Sequence, residues 1–185
     1  MKPETFARMQ AAAQHGCKFH REVLPLYNLA RESGAKVIVE LGTGHGCSTA
    51  ALLAAAEDLG AVVYSADRNP RSVDRLPPEM KARFFNLSSW DPSLPEKMGV
   101  TEVDFIFIDT SHQAPQTESE LALWMPKVKV GGWAVFHDTK VCRAGVTDPI
   151  VAYIGRHPEF TWQWSEDVTK GQFGLGLLRK LPKEA

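Results

Sequence analysis

Short apolar runs bounded by turn residues recur along the chain, and the stretches between them carry apolar positions three or four apart, so strands alternate with helices. Residues 5–14 and 19–32 read as two opening helices. Val23, Leu24, Tyr27, Leu29 and Ala30 give the second a buried face, and Gly34 stops it. A strand over 36–41, a helix over 48–59 closed by Gly60 and a strand over 61–66 make one βαβ unit. Pro70, Pro77 and Pro78 break the middle of the chain, where 82–87 reads as a third strand. The run VDFIFI over 103–108 is nearly free of polar side chains, as expected of a strand covered on both faces. A helix over 117–128, a strand over 131–136 and a short helix over 149–156 follow. Two last β segments, 160–164 and 173–178, are joined by a link too short for a parallel crossover, so a hairpin adds an antiparallel edge to a mostly parallel sheet. Trp124, Trp133, Trp162 and Trp164 fall within these elements and are assigned to the core.

Composition narrows the picture. With 185 residues, 44% hydrophobic and 23% charged, the chain has the makings of one globular unit. A formal net charge of -1 gives no basic excess for a phosphate backbone, so nucleic acid is not an expected partner. No long apolar run and no apolar signal core are present, so neither membrane insertion nor secretion is indicated and a cytoplasmic location is expected. Cys17, Cys47 and Cys142, odd in number and widely spaced, are expected to be reduced.

Between the first strand and its helix lies Glu40-Leu41-Gly42-Thr43-Gly44-His45-Gly46, a turn where backbone can approach a ligand closely. Its G-x-G-x-G spacing departs from the dinucleotide fingerprint, and no Gly-Lys-Ser/Thr follows to make a P-loop. A carboxylate just before the loop would repel a pyrophosphate and complement a cationic ligand; S-adenosylmethionine carries both an ammonium and a sulfonium. Asp67 ends the second strand, where an acid can hold both ribose hydroxyls. Asp109 and Asp138 end the fourth and fifth strands and emerge on the same sheet edge as Glu40 and Asp67. Four acids on one crevice call for compensation by a cationic cofactor or by a metal such as Mg²⁺.

Glu-Leu-Gly-Thr-Gly-x-Gly after a strand, the acid ending the next strand, DFIFIDTSH and VGGWAVFHDT together resemble class I S-adenosylmethionine-dependent methyltransferases. The likeness is greatest to the small-molecule O-methyltransferases of the catechol, macrolide-sugar and cephalosporin-pathway kind, and covers roughly residues 36–139. It implies a three-layer, Rossmann-like, doubly wound and mostly parallel seven-stranded sheet with a C-terminal antiparallel hairpin. It also implies a single domain, with N-terminal helices over 1–34, a cofactor-binding core over 35–139 and a helix and hairpin over 140–185.

The resemblance further places Glu40, Gly42, Thr43, Gly44 and Gly46 around the methionine part of S-adenosylmethionine, with Ser48 at the start of the helix beneath. Asp67 would hold the ribose, and Ser89 and Trp90 would be adenine contacts. Asp109 would face both cofactor and metal, and Asp109 with His112 would be the catalytic pair, His112 as general base with an ordinary imidazole pKa of about 6.5. Asp109, His137 and Asp138 are the candidate metal ligands. His137-Asp138 stands where metal-dependent relatives usually carry an acid pair or Asp-Asn, which leaves Mg²⁺ and softer divalent ions both open. The expected partner is a small hydroxylated molecule, with residues 6–27 and 140–147 shaping its pocket; apolar parts of the opening helices could also pair two copies as a homodimer. Two rivals stay open at this level: an NAD-dependent oxidoreductase, and a cofactor-binding protein without catalytic activity.

Overall fold

Alternation of apolar side chains along each central strand sends one set to each face of the sheet, and both faces are covered. Seven strands, β1 (Val37–Leu41), β2 (Val62–Ala66), β3 (Phe84–Phe85), β4 (Val103–Ile108), β5 (Val128–Phe136), β6 (Phe160–Trp164) and β7 (Gly176–Lys180), form one sheet. Their order is β3-β2-β1-β4-β5-β7-β6 in the computed structural model, which describes residues 1–14, 21–164 and 173–182. The first five are parallel, and β7 runs antiparallel between β5 and β6. This is the doubly wound mixed sheet with a C-terminal hairpin expected from the sequence.

The helices are α1 (Pro3–Gln14), α2 (Val23–Glu32), α3 (Cys47–Leu59), α4 (Pro78–Lys81), α5 (Leu94–Met98), α6 (Ala114–Trp124) and α7 (Asp148–Ile154). Ile38, Phe105, Phe107, Val135 and Leu177 pack with the helices α1, α2 and α3. Val39, Leu41, Ile106, Ile108, Phe136 and Leu178 turn the other way, onto α5, α6 and α7. Trp124 is fully buried among them, while Trp133 and Trp162 pack only partly buried against the two clusters. No helix among the described residues is long and apolar enough to cross a membrane.

Several elements differ from expectation: α4 and α5 are unanticipated, β5 begins at Val128 rather than 131, and β7 is Gly176–Lys180 rather than 173–178. The third strand shrinks to Phe84–Phe85, an edge paired only with β2 and hemmed by the proline-rich turn before it. The helix expected over 117–128 starts at Ala114, with Pro115 in its first turn, and gives way at Met125–Lys127 to a 3-10 turn because Pro126 has no N–H to continue it. A π-helical turn, Arg143–Thr147, precedes α7. The chain leaves β1 toward β2 on one side and returns to β4 on the other, so a crevice opens at the carboxyl ends of β1 and β4.

Candidate active site

Gly42, the first residue beyond β1, has φ +93°, and a Cβ there would overlap the carbonyl oxygen of Asp109, so only glycine lets the loops after β1 and β4 come this close. Gly46 (φ +80°) then opens α3. Above the turn lies a cavity of about 1030 Å³, lined by Gly42, Thr43, Gly44, Gly46 and Ser48 and reaching Asp67 and Ser89 on one side and Asp109, His112, His137 and Asp138 on the other. A Cβ on Gly44 would meet no atom within 4 Å, which leaves the space over the loop clear for a ligand.

Glu40 does not line this cavity. It shares the face of β1 that packs on α3, is 0% exposed, and accepts from Ser48 Oγ at 2.6 Å, Thr49 Oγ1 at 2.7 Å and Ser65 Oγ at 2.5 Å. Ser65 Oγ in turn meets Thr43 Oγ1 at 2.5 Å, so the carboxyl group holds the glycine loop to α3 and β2 from behind. Burial pushes its pKa up against the pull of the three hydroxyls. Asp67 does face the cavity, with one oxygen accepting from Gly44 N and the other from Asn69 N, both at 2.8 Å.

Beyond Asp67 the wall is built by Ser88, Ser89, Thr110, Ser111 and Gln116. Behind it stands Glu120, 0% exposed, which accepts from Ser89 Oγ at 2.5 Å, Gln116 Nε2 at 2.8 Å and Thr110 Oγ1 at 3.2 Å. Trp124 Nε1 donates to the Ser89 carbonyl at 2.8 Å, so Gln116, Glu120 and Trp124, one helical turn apart, together grip Ser89. Trp90 lies outside the cavity lining and is 43% exposed.

At the opposite end, donor atoms of Asp109, His112, His137 and Asp138 lie within 4.8 Å of one another. His112 Nε2 is 3.1 Å from Asp109 Oδ1 and 2.9 Å from Asp138 Oδ2; His137 Nδ1 is 3.3 Å and 3.1 Å from the same two oxygens. Hydrogen bonds to Asp109 and Asp138 push the His112 pKa up to about 10. For His137, burial alone would lower it, but the two carboxylates outweigh burial and raise it to about 9. Burial would likewise raise Asp109 and Asp138, yet both are held below the ordinary carboxylate value by the two imidazoles. This differs from the expectation of an imidazole titrating near neutrality: hydrogen bonds to the two carboxylates favour the protonated form of His112.

His112 (φ +56°) and Asp138 (φ +58°) both sit in the left-handed region, a costly conformation for residues with a Cβ. The chain packs closely around His112. A Cβ on Gly145, in the π turn, would overlap the His112 carbonyl oxygen, and Thr117 Oγ1 fixes Gly145 by donating to its carbonyl at 2.7 Å. Phe173 lines the cavity beside His137, with ring centroids 5.6 Å apart.

Sequence reasoning missed Gln116, Glu120, Thr110, Ser111, Gly145 and Phe173. The first two carried a signal, since two polar residues and a Trp at a spacing of four mark one line of a buried helix face; starting the helix at residue 117 hid it. Gly145 carried none, because its packing partner is set by tertiary approach. Cys47, at the cavity edge, is disulfide-bonded, which corrects the expectation of three reduced cysteines; Cys142 is free and Cys17 lies outside the described residues.

A profile of the methyltransferase domain family matches residues 39–139. The fold is similar to an O-methyltransferase of Streptomyces achromogenes involved in tomaymycin synthesis, solved with S-adenosylmethionine (TM-score 0.71, 16% identity, 98% of this chain and 92% of that one). It is similar too to a Bacillus cereus O-methyltransferase solved with S-adenosylhomocysteine (TM-score 0.71, 19% identity, 97% and 92%). An rRNA methylase of Streptococcus thermophilus shares it at a TM-score of 0.62, with 14% identity over 84% of this chain and 94% of that one. No curated protein matches the sequence. With the family profile spanning more than half of its residues and this sheet beneath the glycine loop, the chain belongs to the methyltransferase domain family, as a class I S-adenosylmethionine-dependent methyltransferase.

Proposed function

We propose that this methyltransferase O-methylates a hydroxyl of a small molecule, with a divalent cation held by Asp109, His137 and Asp138 beside His112. The observation that carries the reading is that four ligand-bearing side chains converge in the same cavity that the glycine loop lines. The cluster fits a cation on charge grounds. Two carboxylates are balanced either by two imidazolium protons or by one divalent ion with both imidazoles neutral. Mixed oxygen and imidazole donors suit Mn²⁺ or Zn²⁺ better than Mg²⁺, which favours oxygen ligands and retained waters.

A bound cation would supply Lewis acidity, lowering the pKa of a coordinated hydroxyl. The chain's own residues do the rest. Gly42 and Gly44 leave room for the methionine part over the loop, Asp67 takes the ribose, and the Ser88–Ser89 wall takes the base. His112, once relieved of its own proton, accepts the hydroxyl proton of the acceptor. S-adenosylmethionine bound there would supply the methyl group, the acceptor oxygen approaching in line so that the C–O bond would form as the C–S bond breaks and its electron pair goes to sulfur, leaving S-adenosylhomocysteine.

Calorimetry with S-adenosylhomocysteine, followed by radiolabelled methyl transfer to a library of hydroxylated small molecules, tests the reading. Binding of the nucleoside and transfer abolished by chelator but restored by Mn²⁺ or Zn²⁺ are expected. Transfer that survives complete chelation would remove the metal from the reading, and failure to bind the nucleoside would remove the reading itself.

A further inference from the structure

The glycine loop has a different neighbour at each end. It begins at Gly42, against the backbone of Asp109, and ends at Gly46, where a Cβ would lie 3.4 Å from the carbonyl oxygen and 3.9 Å from the Cβ of Arg75. Arg75 closes the 3-10 turn Pro70–Arg75 that follows β2, and it lines the cavity together with Arg8 and Arg68. Arg8 is already committed, its Nη1 lying 2.7 Å from Glu79 Oε1. Arg68 and Arg75 are exposed, and among the described residues their side chains take part in no ion pair or hydrogen bond, not even with Asp74, the chain neighbour of Arg75. The acids of the site are engaged elsewhere. Glu40 is buried behind the loop, Asp67 accepts from Gly44 N and Asn69 N, and Asp109 and Asp138 meet the two imidazoles across the cavity. The far end of the loop therefore offers an uncompensated positive charge to whatever occupies the cavity.

Resting on the reading that the methionine part of the cofactor lies over the glycine loop, we propose that Arg75 binds the carboxylate of that methionine part, so that the Gly46 end of the loop is a carboxylate subsite. A guanidinium presents a planar fork of donors that matches the two oxygens of a carboxylate. Arg75 is assigned in preference to Arg68 because it abuts Gly46, whereas Arg68 follows Asp67 on the ribose side. With Glu40 withdrawn behind the loop, the ligand charge recognised at this end is the negative one.

The test compares S-adenosylhomocysteine with its decarboxylated analogue S-adenosyl-3-thiopropylamine, identical but for the carboxylate, by calorimetry on the full chain. The wild type is expected to prefer the carboxylate-bearing compound by about tenfold or more. In Arg75→Gln the preference is expected to fall to within about twofold, with affinity for the analogue nearly unchanged. Arg75→Lys, which keeps a cation but loses the fork, is expected to retain part of the preference, and Arg68→Gln all of it. Melting curves establish that the variants are folded, as exchange at an exposed side chain without a protein partner should allow. Equal losses for both compounds in Arg75→Gln would mean that Arg75 only shapes the cavity and would overturn the proposal. So would a preference erased by Arg68→Gln and not by Arg75→Gln, or a wild type that binds both compounds equally. If the wild type binds neither compound, the cofactor reading fails and this proposal fails with it, an outcome distinct from tight binding without discrimination.

Discussion

Glu40 shows how one side chain can shape a cavity without lining it. All the donors it meets are hydroxyls of the protein, on α3 and β2, and it lies behind the loop. Glu40→Gln keeps the shape but sets an amide against a hydroxyl, so a loss of about 1–3 kcal/mol in unfolding free energy is expected by urea titration. S-adenosylhomocysteine affinity should fall less than tenfold, whereas a direct charge-assisted contact with the ligand's ammonium would cost more than tenfold. Trp90 gives the opposite contrast. Being 43% exposed and outside the cavity lining, it should be replaceable by Ala with cofactor affinity unchanged within about twofold, as read by calorimetry.

At the scale of elements, the loop between β4 and α6 is pinned at both ends by glycine: Gly42 lies under the Asp109 carbonyl and Gly145 under that of His112. The π turn is therefore part of the site's scaffold, in keeping with the frequent appearance of π geometry near functional groups. Gly145→Ala must push the His112 loop away, because Thr117 holds Gly145 from the other side. The expected result is at least about tenfold weaker Mn²⁺ binding, with S-adenosylhomocysteine affinity nearly unchanged. Equal Mn²⁺ affinity would show that the loop can follow the displaced backbone without cost.

Across the whole molecule, the cluster at the sheet edge links protonation to stability and, with the proposed cation, to ion binding. The two imidazoles are raised, to about 10 and about 9, so the proposed cation, bound at neutral pH through neutral imidazoles, would displace protons from both. Mn²⁺ titrations in two buffers of different ionisation enthalpy should report a release approaching two protons per ion at pH 7. The sign for stability follows from the same shift. A histidine raised in the folded state contributes fully below its ordinary 6.5 and loses that contribution as pH rises through about 10. Ion-free wild type should therefore lose stability steadily between pH 7 and 10, whereas His112→Gln should give a flatter profile over the same window. The lowered pKa values of Asp109 and Asp138 act at the other end, adding stability above the ordinary carboxylate value of 3.8 that is lost as pH falls.

What the amino-acid order determined by itself was whatever depends on neighbours along the chain. The two-residue alternation of VIVEL and the polar-free VDFIFI fixed the central strands, and Gly42, Gly44 and Gly46 marked the turn, because pleat, burial and backbone freedom are local properties. The same alternation puts Glu40 on the face of Ile38, toward α3, although its position before a glycine loop suggested a ligand contact. Tertiary structure alone decided which groups from distant segments meet. His112 and His137 acquired their proton affinity from two carboxylates on separate loops, and Gly145 and Glu120 acquired their places from backbone and side chains more than 25 residues away. Proton affinity and packing space are set by distances of a few ångströms in three dimensions, which spacing along a chain does not encode.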